Sequence, residues 1–355
     1  MNESVQTGVV GVTGYAGAEL ARLLVRHPRL KGNPPVFAGR VDAKEEARGG
    51  VPLGEIHPQL ADSAGNGTLK LEPFSWELLR KRGVEVLFLA TPHQQSREWA
   101  PEALAHGLRV IDLSGAWRLT EATNRAVYNF EDDGTDLAAE TQALAVYGMP
   151  ELHRAKIATA RLVANPGCYA TSVILALKPL VQAGLVDRER GIVADSKSGV
   201  SGAGKTPSAK THFMYAADNL SAYGVFTHRH TGELLEQIGV DNSEIIFTPH
   251  LLPIPRGILS TIYVRFHEVQ TTASVARIYH EFFTECPMVR IYDKALPQIQ
   301  YSLRTCYADI GFHLAADGRR AVIVSCLDNL LKGASSQAVQ NLNVMQGWGE
   351  AEGLE

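Results

Sequence analysis

No run of about 18 uncharged apolar residues occurs in the chain. The greasiest stretch, residues 173–186, is broken by Lys178, Pro179 and Gly184, so nothing reads as a membrane span. Cysteine is scarce. Cys168, Cys286, Cys306 and Cys326 lie far apart without a CxxC pair, which excludes a zinc ribbon or a disulfide scaffold and leaves a thiol to act, if at all, as a nucleophile. Charge excess is also missing. A formal net charge of -4 gives no electrostatic reason to bind nucleic acid or acidic membranes, so a small molecule is the expected partner. The first seven residues, MNESVQT, lack the basic start and apolar core of a signal peptide, and a cytoplasmic protein is expected. There is no internal repeat, low-complexity tract or Pro/Ser-rich linker. What is present is the composition of a globular protein, 45% hydrophobic and 20% charged over 355 residues, enough for two ordinary domains.

The first half alternates short apolar runs with helical patterns, the mark of a parallel sheet covered by helices. Residues 8–13, 36–38, 84–90 and 110–113 read as strands. Ala16, Leu20, Leu23 and Leu24 recur at helical spacing until His27-Pro28, and residues 97–106 read as a second helix. Beyond the Asn165-Pro166-Gly167 turn the texture changes. A helix over residues 168–180, with Val173, Ala176, Leu177 and Leu180 on one face, precedes strands at 192–194, 244–247, 259–266 and 321–326, which suggest a mixed or antiparallel sheet. In the tail, Leu330, Ala334, Ala338 and Leu342 share one helical stripe and are read as folding back on the first domain. The expected fold is therefore α/β: a Rossmann-type dinucleotide-binding domain over residues 1–165 plus 329–355, and an α+β domain over 166–328, to which the resemblance described below adds catalysis and oligomerisation.

Gly11, Gly14 and Gly17 form a GxxGxxG run between the first strand and the first helix. Glycines there permit a tight turn and a close approach of helix N-terminal amides to a pyrophosphate. Thr13, Tyr15 and Ala16 share that turn. At the end of the second strand, where an NAD site usually carries an acid for the ribose, the chain has Arg40, which suits a 2′-phosphate and so NADP. Asp42, two residues later, is the competing acidic candidate.

Cys168 follows a Pro-Gly turn and opens a helix, a position that lowers a thiol's pKa. Cys326 sits in an apolar strand, and Cys286 and Cys306 also read as small buried hydrophobes. His228 and His230 flank Arg229 ahead of a helical pattern at Leu234, Leu235 and Ile238, and either one suits proton transfer. The HxH pair lacks neighbouring ligands for a metal, and none is expected.

Seven segments in order carry a resemblance: GVTGYAGAEL from Gly11, DLSGAWRL from Asp112, VYGMPEL from Val146, NPGCYAT from Asn165, SGVSGAG from Ser198, HRH from His228 and DNLLKGA from Asp328. Together they resemble the N-acetyl-γ-glutamyl-phosphate reductases of arginine biosynthesis, within the aspartate-semialdehyde dehydrogenase-like group, nearly end to end. The resemblance implies a domain pair of the semialdehyde dehydrogenase type and reduction of an acyl phosphate through a thioester on Cys168. It further implies NADP contacts from the glycine turn, from Ser198 and Gly199, and from Asn329, Gly333 and Ala334. Ser114, Arg118 and Asn165 are implied on the substrate side, with a homodimer or homotetramer as the assembly. Three regions depart from the family pattern: Gly115-Ala-Trp stands where relatives often read Ala-Asp-Phe, Ser172 stands where the cysteine motif usually has Gly or Ala, and the second-strand region AGRVDAK from Ala38 fits the family loosely. Reduction of aminoadipyl or aspartyl phosphate, and a non-catalytic NADP-binding sensor, are the competing readings.

Overall fold

A computed structural model of the chain describes residues 5–61 and 68–355; the N-terminal stretch read above lies partly outside them. The chain forms two compact units, Met1–Arg118 with Asn129–Asn165 and Ser335–Glu355, and Leu119–Tyr128 with Pro166–Ala334.

In the first unit eight strands form one sheet: β1 (Thr7–Val10), β2 (Val36–Gly39), β3 (Val51–Pro52), β4 (Lys70–Pro73), β5 (Val86–Leu89), β6 (Arg109–Asp112), β7 (Ala145–Tyr147) and β8 (Leu162–Ala164). Their spatial order is β3-β4-β2-β1-β5-β6-β8-β7, and every pairing is parallel except β3 with β4. The order reverses between β1 and β5, the crevice at which open α/β sheets bind ligands. β1 and β5 are buried along their whole length, as strands covered on both faces must be. Helix α1 (Tyr15–Arg26) buries Leu20, Leu23 and Leu24 and stops at His27, before Pro28, as the spacing predicts. β1 is shorter than the sequence suggests, because Gly11 turns out of the sheet at φ +94°. Helix α2 (His93–Ala105) begins four residues ahead of the expected start. β3, β4, β7 and β8 are two to four residues long, too short for a period-2 pattern, and none was expected.

The second unit holds β9 (Ile192–Gly199), β10 (Ser221–Ala222), β11 (Ile245–Leu252), β12 (Ile258–Arg265), β13 (Val289–Tyr292), β14 (Ala308–Leu314) and β15 (Arg320–Leu327) in a mixed sheet, ordered β10-β11-β9-β12-β15-β14-β13. Helix α3 (Cys168–Gln182) packs on β9, β12, β14 and β15. The expected single apolar face is only half of it: α3 is buried on all sides, because the helix Thr272–Phe282 also packs against it, with the Tyr279 hydroxyl donating to the Ala176 carbonyl at 2.7 Å.

Two details of the unit boundaries were not visible in the pattern. Leu119–Tyr128 belongs with the second unit, tied there by the Glu236 carboxylate, which accepts from the Thr120 and Glu121 amides and from Asn124 Nδ2. The return to the first unit comes at Ser335, not at 329, and leads into helix α4 (Ser336–Gln346). α4 is buried all round rather than along one stripe, and amide nitrogens on it bond internally: Gln337 and Asn341 donate to the Gly148 carbonyl, and Asn341 also donates to Asn165 Oδ1.

Candidate active site

The second unit opens on Pro166 and Gly167, and Gly167 is the N-cap of α3 with no side-chain cap. Cys168 is thus the first residue of a fifteen-residue helix whose first turn carries no acidic side chain, a setting that favours thiolate. It is also the only partly exposed cysteine among the described residues. Cys326 is its opposite, with burial pushing its thiol up to about 12.

His230 lies against this turn. A methyl on Gly167 would stand 2.5 Å from His230 Nε2 and 2.7 Å from Glu233 Oε1, so only glycine lets the imidazole and the carboxylate close on the residue before the thiol. The Gly167 amide donates to Glu233 Oε2 at 2.9 Å, and Glu233 Oε1 lies 4.0 Å from His230 Nε2. His228 has a different surrounding. Its ring stands edge-on to Tyr169, Tyr223, Phe247 and His230, and its Nδ1 accepts from the His230 amide at 3.1 Å. Burial, with a smaller contribution from the Arg229 charge, brings its pKa down to about 4, so at neutral pH it is an uncharged member of an aromatic box. Sequence left the two histidines level, and only packing separates them.

The loop residues expected to meet a cofactor form a braced junction in this unit. Asn329 Oδ1 accepts from the Gly257 amide at 2.7 Å, and its Nδ2 donates to Ser201 Oγ at 3.0 Å, so both ends of the amide are committed to the protein. Ser198 Oγ donates to the Gly199 carbonyl, and the Gly199 amide to Gly257 O. Gly333 packs on Cys168, where a methyl would lie 2.7 Å from Cys168 Cβ. Ala334 is half-buried beside it in sequence.

In the first unit the glycine turn fits a dinucleotide. A side chain on Gly11 would strike the Ala90 carbonyl at 2.2 Å, at the end of β5, and one on Gly17 would strike the Gly11 carbonyl at the same distance. The turn can close only with glycine at both places. Gly14 caps α1 without a side chain, the first turn has no acid, and Thr13 and Tyr15 are exposed, which leaves helix-terminal amides for an anion. The Ala16 carbonyl accepts from Ser335 Oγ at 2.7 Å. At the end of β2, Asp42 caps the helix Ala43–Ala47, accepting from the Lys44 and Glu45 amides, whereas Arg40 is exposed with no ion-pair partner among the described residues.

Ser114, Arg118 and Asn165 converge on Asp112, a residue the sequence did not single out. Asp112 is fully buried, which raises its pKa; hydrogen bonds from the Ser114 hydroxyl and amide and the Arg118 charge oppose that rise. Arg118 donates to the carbonyls of Asn165 at 2.7 Å and Leu113 at 2.9 Å, and the Asn165 amide donates to Asp112 O. Glu233 was missed as well. The available signals were its place three residues after His230 in HRHTGE, and the Asp-x-Ser spacing at a strand end.

Comparison with known proteins identifies the domain types and the family. Residues 6–160 match the semialdehyde dehydrogenase NAD binding domain, and residues 168–329 the semialdehyde dehydrogenase dimerisation domain. The fold is shared with aspartate semialdehyde dehydrogenase II of Vibrio cholerae in complex with ASA, at a TM-score of 0.70 and 17% identity over 97% of this chain and 98% of that one. A probable aspartate-semialdehyde dehydrogenase from Pseudomonas aeruginosa has a TM-score of 0.68 at 19% identity, covering 97% and 98%. The class is thus a semialdehyde dehydrogenase-type oxidoreductase that binds a nicotinamide dinucleotide. Among curated proteins, N-acetyl-γ-glutamyl-phosphate reductases are similar throughout: 41% identity for Desulfotalea psychrophila over 99% of this chain and 98% of that protein, and 40% for Escherichia coli K12 over 99% of each. The chain belongs to the N-acetyl-γ-glutamyl-phosphate reductase family.

Proposed function

We propose that the protein reduces N-acetyl-γ-glutamyl phosphate to N-acetylglutamate 5-semialdehyde with NADPH, releasing inorganic phosphate, as a cytoplasmic homodimer or homotetramer of arginine biosynthesis. One observation carries the reading: the thiol that opens α3 follows directly on the glycine against which the His230 imidazole rests.

The chemistry follows from that pairing. His230 takes the Cys168 proton, and the thiolate attacks the acyl carbonyl; the carbon–oxygen bond to phosphate breaks and a thioester forms. A reduced nicotinamide dinucleotide held by the Gly11, Gly14 and Gly17 turn would supply a hydride to the thioester carbon. The His230 imidazolium protonates the resulting oxyanion and takes that proton back as the carbon–sulfur bond breaks, so that Cys168 leaves as thiolate and the aldehyde is released. Backbone amides in the first turn of α3 are the oxyanion donors, each typically contributing about 2.7–4 kcal/mol. Ser114, Arg118 and Asn165 are assigned to the substrate, and Arg40 to the 2′-phosphate that separates NADP from NAD.

The test runs in the reverse direction. Given NADP, inorganic phosphate and N-acetylglutamate semialdehyde, the purified protein is expected to form NADPH, and aspartate semialdehyde to be a poor replacement. Aspartate semialdehyde is one carbon shorter and brings a charged amine where the acetamide should sit, each difference costing a few kcal/mol. Faster turnover of aspartate semialdehyde would overturn the substrate assignment while leaving the thiol chemistry standing.

A further inference from the structure

Glu233 is completely buried on the four-residue helix Thr231–Leu234, and buried carboxylates are rare unless they serve a partner. Its two oxygens reach different members of the candidate site. Oε2 accepts the Gly167 amide at 2.9 Å, fixing the turn that presents Cys168, and Oε1 lies 4.0 Å from His230 Nε2. The neighbouring Gly232 makes this approach possible, since a methyl there would stand 2.9 Å from Asn124 Cβ. One side chain therefore registers nucleophile and base against each other.

We infer that Glu233 is a positioning residue: its carboxylate locks the Gly167 turn to His230 and holds the imidazolium that the thioester chemistry requires. The inference rests on the assignment of Cys168 and His230 above. An anion beside an imidazole favours the charged ring. The other groups facing the pair are Tyr169 of α3 and His228, whose rings stand edge-on to His230, with Asn124 on the far side of the Thr231–Leu234 turn; Cys168 and Arg229 adjoin Gly167 and His230 in sequence. Glu236, one turn on, spends its charge on Thr120, Glu121 and Asn124. Among these residues Glu233 is the anion placed to stabilise the His230 cation.

Glu233→Gln separates this role from a plain structural cap, because the amide oxygen still accepts from Gly167 while the charge is gone. The variant is expected to fold, to keep KM near the wild-type value and to lose at least tenfold in kcat, with the alkaline limb of its kcat–pH profile moved about one unit lower. NMR of histidine-labelled protein reads the same displacement in the His230 titration with no substrate present, so it stands or falls separately from the substrate assignment. Unchanged kcat, or a loss of rate with the limb and the His230 titration unmoved, would overturn the inference. Glu233→Asp keeps the charge but not the reach. It is expected to lose rate while retaining most of the limb's position, and it carries the test if the Gln variant does not fold: a wild-type rate, or a limb displaced by a full unit, would refute the role.

Discussion

Arg40 and Asp42 stand two residues apart after β2, and in sequence either one can decide the cofactor. The structure commits the Asp42 carboxylate to a helix cap and leaves the Arg40 guanidinium exposed. Arg40→Ala is therefore expected to raise KM for NADPH about tenfold or more with little change for NADH, because a charge-assisted contact to phosphate is worth about 1.5–3 kcal/mol. Steady-state kinetics with both cofactors check this, and an equal effect on the two would move the role to another residue. His228 makes a second residue-scale case. Its pKa is about 4 in the folded chain against an ordinary 6.5, so unfolding takes up a proton between those values. The stability it supports is complete above pH 6.5 and drains as pH falls toward 4, by up to about 3 kcal/mol. His228→Gln should flatten the dependence of Tm on pH across that window. Some slope should remain, because burial also lowers the pKa of His27. His230→Gln, by contrast, should cost about 10²–10⁴ in kcat. The candidate thiol was legible from one residue's place at a helix start. The choice between the histidines was not, because it depends on Tyr169, Tyr223 and Phe247, which come from distant parts of the chain.

α3 and α1 are the elements on which both candidate sites are built, and both were legible because a Gly turn, an apolar repeat and a breaker mark their ends. What the pattern understated is their burial. Periodicity reports the apolar face of a helix, whereas the remaining faces of α3 and α4 are covered by elements remote in sequence, and α4 meets that burial with side-chain amides as well as apolar groups. The glycines at the start of α3 give an element-scale test. Gly167→Ala places a methyl against His230 and Glu233, an overpacking cost of about 1–3 kcal/mol that the side chains relieve by moving off the turn. The expected outcome is a folded protein with kcat down at least tenfold and cofactor affinity unchanged, measured by kinetics and by cofactor titration. Wild-type kcat would show that His230 need not sit on that turn.

At the scale of the whole molecule, the two-unit organisation could be read from a change of texture after Asn165, and the family from seven short segments in order. The finer chain path could not. Leu119–Tyr128 belongs with the second unit, bonded to the Glu236 carboxylate and packed at Leu119 and Asn124 against Gly232, and Asn329 is held in the second unit by its own amide, ahead of the return at Ser335. Neither side chain leaves a trace in periodicity or composition. The account as a whole depends on a covalent acyl-enzyme at Cys168, and one experiment reaches it directly. Protein is mixed with NADP and N-acetylglutamate semialdehyde in the absence of phosphate, and NADPH formation and the mass of the cysteine-bearing peptides are followed together. The account predicts a burst of one NADPH per subunit and an N-acetylglutamyl group on Cys168 alone, followed by turnover when phosphate is added. Continuous turnover without phosphate, a label on any other residue, or more than a tenth of the wild-type rate from Cys168→Ser would contradict it.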